Sequence, residues 1–177
     1  MDGSKVPSLA AIAVIGRHNN PLHISLFPAS DGERDKLEYS FMLNSCLDIF
    51  EARMPAKTIG HDFGLLHALD ERIAMYGWLL NTGVKLVIVV DMEGRTASGN
   101  DTGKYVTGLA LRGNDLTPAF QALQTAYIRL LRNPFYVPDD HDPKIGQTRG
   151  SVEITSPRFI KAVQHIGNVW YPGITSI

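Results

Sequence analysis

The amino-acid sequence predicts an α/β fold of three layers, an antiparallel sheet of five strands with one helix on one face and two on the other. Two stretches, Ala10 to Ile15 and Val84 to Asp91, are apolar at nearly every position instead of alternating, which marks strands covered on both faces. Turn-forming residues separate neighbouring strand candidates, as antiparallel hairpins require. Helical periodicity appears once after the first hairpin and twice near the end, giving the order β-β-α-β-β-β-α-α. The lone helix and the terminal pair can then cover opposite faces of one sheet.

Ala10 to Ile15 is the first strand, stopped by Gly16; Arg17-His-Asn-Asn-Pro21 is a turn, and Leu22 to Phe27 returns as the second. After the loop Pro28 to Gly32, a helix runs from Lys36 to Arg53, with Tyr39, Leu43, Cys46, Leu47 and Phe50 at helical spacing. Pro55 follows its end. Asp62 to Ala68 and Ile73 to Leu80 are the next strands, and Asn81-Thr-Gly83 carries hairpin chemistry before the fifth, Val84 to Asp91. From Met92 to Asp115 the chain holds five of its 16 glycines, so a long loop is expected, with a little strand at Tyr105 to Leu111. A helix then starts between Asn114 and Thr117, with Pro118 tolerated in its first turn. Its stripe is Leu116, Phe120, Leu123, Tyr127, Leu130 and Leu131, and it ends at Asn133-Pro134. Asp139 to Gly150 is a second loop, and Ser156 to Ile166 the last helix. Pro134 forbids further helix, and Phe135 and Tyr136 are expected to pack back on the sheet edge.

At 177 residues one domain, 1–177, is expected. A chain of this size hides around 70% of its surface on folding, enough for a core without staples. A net charge of -1 removes the broad positive field of a non-specific nucleic-acid binder, so no nucleic acid is expected. One cysteine makes no internal disulfide and no thiolate zinc site. The run Leu9 to Ile15 falls far short of the ~20 residues of a membrane span, and Asp2 precedes it where a secretory signal is basic. A soluble, cytoplasmic protein is the expectation.

The residues that could carry chemistry do not assemble into a catalytic set. Ser98-Gly-Asn-Asp-Thr-Gly-Lys-Tyr105 resembles a phosphate loop but has Ser98 in place of its first glycine and Tyr105 where magnesium needs Ser or Thr. Cys46 lies on the apolar stripe between Leu43 and Phe50, where a thiol keeps its proton. The six histidines are scattered. Asp139-Asp-His-Asp142 offers hard ligands, but such charged loops are ordinarily solvated. Neighbouring Asp70 and Glu71 point different ways, and Asn100-Asp-Thr102 is a glycosylation pattern without meaning in the cytosol. No enzyme, cofactor or metal is expected.

One anomaly lies on the first helix. Leu37, Phe41, Asn44 and Asp48 fall at i, i+4, i+7 and i+11, opposite the apolar arc. Two large apolar residues beside an amide and a carboxylate form a small amphipathic stripe on a face that should be wet. Scattered surface apolars are ordinary, whereas a contiguous patch marks a docking surface. The stripe is the candidate partner-binding site.

Several segments resemble the sedlin family of TRAPP complex subunits, most of all its subunit 2-like branch. They are Ala13-Val-Ile-Gly with Asn20-Pro-Leu, Leu47-Asp48, the block Tyr76 to Asp91, Asn133-Pro-Phe-Tyr-Val-Pro138, and Ile154-Thr-Ser156 with Phe159 and Val163. Residues 93–109 and 139–152 depart from the family as loop insertions. The resemblance implies a longin-like (SNARE-like) fold and no activity of its own. It implies an adaptor subunit joining the core of a vesicle-tethering complex to its larger subunits, peripheral at ER–Golgi and Golgi membranes. The whole complex activates Rab GTPases by nucleotide exchange, so a Rab is met only indirectly. It also places Asp48 on the helix where these adaptors meet larger subunits. A small clathrin-type adaptor subunit shares the fold and is the alternative. A SNARE of this fold would add a heptad helix and a membrane anchor, and the sequence to Ile177 holds neither. A hydrolase would need a nucleophile–base pair.

Overall fold

The computed structural model describes residues 5–28, 35–54, 61–96, 111–136 and 153–177. Five strands form one sheet: β1 (Lys5–Ile15), β2 (Pro21–Leu26), β3 (Asp62–Ala68), β4 (Ile73–Leu79) and β5 (Lys85–Thr96). Their spatial order is β2-β1-β5-β4-β3, and every neighbouring pair is antiparallel. The helices are α1 (Lys36–Arg53), α2 (Thr117–Leu131), entered through a 3-10 turn at Gly113–Leu116, and α3 (Pro157–Val169).

The near-continuous apolar runs have the consequence expected of them. Along β5, Leu86, Ile88 and Val90 enter a core shared with α2 and α3, while Val87 and Val89 enter the core beneath α1. β1 divides in the same way, except that its register shifts between Leu9 and Ala11. This bulge sends the successive residues Ala10 and Ala11 to the α1 side. With Ala13 they make a shallow floor on β1, over which the helix seats Tyr39, Met42, Leu43 and Phe50. Phe50 reaches over β4, where Gly77 leaves room for it; a Cβ there would stand 2.5 Å from the tip of the Phe50 ring and 2.7 Å from Leu66. On the opposite layer the Phe27 ring lies against Gly167 of α3, in space a side chain would occupy.

α2 and α3 run antiparallel, held at one end by Trp170, whose Nε1 donates to the Asp115 carbonyl at 2.9 Å. Trp78 of β4 stacks on Phe120 of α2 at 5.4 Å and donates to Gln124 Oε1. His23 of β2 is buried, shares a 2.6 Å hydrogen bond with Ser25 and meets Phe159 of α3 edge-on.

Three expectations change. β5 does not stop at Asp91 but continues to Thr96, pairing Val6 with Arg95 and Lys5 with Thr96. A Lys5–Glu93 ion pair of 2.9 Å accompanies that extension, so residues 93–96 are strand rather than the opening of a loop insertion. Strand β1 is correspondingly longer, because it supplies the partner. Phe135 does not pack back: it is 92% exposed, while Tyr136 packs against the core. The cause is a tight turn in which Asn133 Oδ1 accepts from the Phe135 N–H and the Asn133 carbonyl accepts from Tyr136. Its tip projects outward. The expected strand at Tyr105 to Leu111 and the loop from Asp139 to Gly150 lie outside the described residues, save for Leu111 itself.

Two outcomes follow from this packing. Gly77→Ala forces the buried Phe50 ring to move and should lower stability by about 1–3 kcal/mol in urea unfolding. Burial holds the imidazole of His23 below its ordinary value of 6.5, with Glu153 opposing and Lys36 assisting. Just below pH 6.5 the unfolded chain therefore binds a proton that the folded chain refuses. Stability should fall as pH drops through that window, and His23→Gln should flatten the slope.

Candidate docking face on the first helix

α1 starts at Asp35, whose Oδ1 accepts from the Leu37 N–H at 2.9 Å as an N-cap. Tyr39, Met42, Leu43, Cys46, Leu47 and Phe50 are buried. At 100° per residue the remaining arc holds Glu51, Asn44, Leu37, Asp48 and Phe41 within roughly 80°. All four residues singled out from the sequence are exposed, Leu37 at 61% and Phe41 at 68%. The helix brings them together as one surface strip. Among the described residues neither Asn44 nor Asp48 makes a side-chain hydrogen bond or ion pair, so an amide and a carboxylate stand ready beside two apolar groups.

The C-terminal half of this face is fixed from both sides. Lys85 is 2% exposed, and its ammonium donates to Asn19 Oδ1 at 2.8 Å. Asn19, in left-handed backbone at φ 65° in the β1–β2 turn, donates in turn from Nδ2 to Glu51 Oε1 at 2.8 Å. Burial pulls the Lys85 ammonium below its ordinary value and the Glu51 charge pulls it back up. On the other flank, Arg53 Nη1 donates to the carbonyls of Phe63 and Leu65 at 3.2 and 2.7 Å. That contact also covers two groups on the β3 edge. Asp48 thus sits on a helical turn whose neighbours tie it to β3, β5 and the first hairpin, a rigid platform.

Sequence reasoning missed Glu51 and the buried Lys85–Asn19 bridge that restrains it. Glu51 was open to detection, since it falls three residues after Asp48 on the same face. Asn19 was not, because its role depends on where the turn lands.

Nucleophilic chemistry finds no support at Cys46. It is fully buried, its Sγ lies 3.3 Å from Met75 Sδ, and burial pushes the thiol up to about 12. Among the described residues no group of three or more histidine, cysteine or acidic side chains is arranged to hold a metal ion. The phosphate-loop-like tract Ser98 to Lys104 and the Asp139–Asp142 run lie outside the described residues. No helix among the described residues is long and apolar enough to cross a membrane.

A sheet in the order 2-1-5-4-3 with one helix on one face and two on the other defines a longin-like module, and its lone helix carries an exposed strip. Residues 14–168 match the family described as Sedlin, and the chain belongs to that family. It is 32% identical over 134 residues to the trafficking protein particle complex subunit 2-like protein of Dictyostelium discoideum, covering 74% of this chain and 84% of that one. It is 30% identical over 135 residues to the protein of that name from Mus musculus and 29% identical to that from Bos taurus, covering 73% of this chain and 84% of each.

The state of Cys46 has a direct check. A thiol-specific reagent at mildly alkaline pH should leave native protein unlabelled and react fully after unfolding, and Cys46→Ala should cost about 1 kcal/mol with the fold retained.

Proposed function

We propose that this chain is a non-catalytic adaptor subunit of a trafficking protein particle (TRAPP) complex, acting in ER–Golgi and Golgi transport. The observation that carries this reading is the strip Leu37, Phe41, Asn44 and Asp48: large apolar groups held in water beside an exposed carboxylate that has no partner among the described residues, on a pinned helix. The names of its relatives supply the setting. In that setting the strip docks a larger subunit of the complex. The other surfaces of the sheet-and-helix block are free to meet the core.

The chemistry of the strip defines its partner. Leu37 and Phe41 call for an apolar pocket, and Asp48 with Glu51 alongside calls for a basic group or backbone N–H donors. The subunit does no chemistry itself. A Rab GTPase is served only through the exchange activity of the assembled complex, and membranes are reached peripherally through it.

Truncating one partner of a desolvated charged hydrogen bond typically costs ~2–5 kcal/mol, at least about thirtyfold in affinity. Asp48→Tyr removes the carboxylate and adds bulk, and Phe41→Ala removes the apolar anchor. Each should leave the melting temperature of the isolated protein near wild type, because neither side chain is part of the core. Each should sharply reduce co-purification of TRAPP subunits. Wild-type yield from both folded variants would remove this face as the docking surface, and recovery of clathrin-adaptor subunits instead would identify a different complex.

A further inference from the structure

On the opposite layer, α2 and α3 diverge where one ends and the other begins, leaving a cleft of about 830 Å³. Its floor is apolar, with Leu130, Phe159 and Ala162, and its rim carries Arg129, Arg132 and Arg158. Among the described residues no acidic side chain lines it, and none pairs with these three guanidinium groups. A shallower extension of about 290 Å³ shares Ala126, Arg129 and Ala162 and continues along the helix pair.

Helix electrostatics account for part of this charge. Arg129 lies in the last turn of α2 and Arg132 is its C-cap, where a cation suits the dipole. Arg158 has no such reason. It lies in the first turn of α3, a helix with no acidic residue there, where the dipole repels a cation. Three like charges converge on one end of the layer in a chain whose net charge is -1. Beside them the Asn133 turn holds Phe135 outward at 92% exposure.

We propose that this cleft docks an acidic, partly apolar peptide segment of a partner protein. Carboxylates engage the arginine forks, which match them bidentately, and an apolar side chain lies on the Leu130–Phe159 floor. The volume is that of a site that encloses a few side chains. A concave cleft with an apolar floor between two helices suits a peptide, whereas a flat anionic bilayer would meet only its rim. The surface lies across the sheet from α1, so both faces can be occupied together, and this proposal stands or falls independently of the α1 strip.

Fluorescence anisotropy with three labelled peptides of one pattern tests it: Glu/Asp alternating with Leu/Phe, and the same peptide with the acids replaced by Gln or by Lys. Each is titrated with the full chain, alongside sedimentation with phosphatidylserine vesicles. The acidic peptide should bind best, weaken at high salt, and lose at least about tenfold affinity in Arg129→Glu/Arg158→Glu. Arg129→Gln/Arg158→Gln, which adds no repulsion, should lose affinity in the same direction if the reversal misfolds. Asp48→Tyr should bind the peptide as wild type does. Equal binding of the three peptides, absence of binding, indifference to the arginine changes, or vesicle binding without peptide binding would each overturn the proposal.

Discussion

Ala10 to Val14 and Leu86 to Val90 lie side by side at the centre of the sheet with every residue at 0% exposure. Paired strands that are apolar on both faces cannot stand against water on either side, so each face needs its own helical layer. This double burial dictates the remaining architecture. The face receiving three alanines accepts one closely seated helix, and the other accepts two. A helix alone on its layer has no helical neighbour for its outer face. Whatever chemistry that face carries is offered to solvent or to a partner.

The lone helix is therefore both a structural cover and a display. Its inner side contributes Phe50 and Cys46 to a sealed core, while its outer side presents Leu37, Phe41 and Asp48. The Lys85–Asn19–Glu51 bridge and the Arg53 contacts hold the C-terminal end of the display in place. A partner that docks there orders little backbone, which lowers the entropy cost of association. The two layers also differ in charge: α1 shows Asp48 and Glu51, and the α2–α3 end shows three arginines. A rigid block with chemically distinct faces is suited to joining different partners.

Much of this was legible because it depends on local periodicity. The bounds of α1 and β3 follow from the 3.6 and two-residue patterns, and the outer strip of α1 follows from counting around the helix. What escaped depends on contacts distant in sequence. Residues 92–96 open the stretch to Asp115 that holds five glycines, and their pairing with β1 makes them strand. Phe135 looks like a packing residue until the Asn133 turn sets its direction. Arg129, Arg132 and Arg158 lie on two helices separated by 25 residues or more of chain, and only the antiparallel docking of α2 on α3 makes them neighbours. Asn19 is an ordinary turn residue in sequence, and its bridge to Lys85 and Glu51 exists only in the fold.

The central claim is that the outer face of α1 is the surface covered on assembly. Hydroxyl-radical footprinting of the isolated chain and of the purified complex measures this directly, because leucine and phenylalanine side chains are oxidised in proportion to their exposure. Leu37 and Phe41 should be readily oxidised in the isolated chain and strongly protected in the complex, with buried Phe50 unreactive in both. Equal oxidation of Leu37 and Phe41 in the two states would show that α1 remains open in the assembly and would contradict the account.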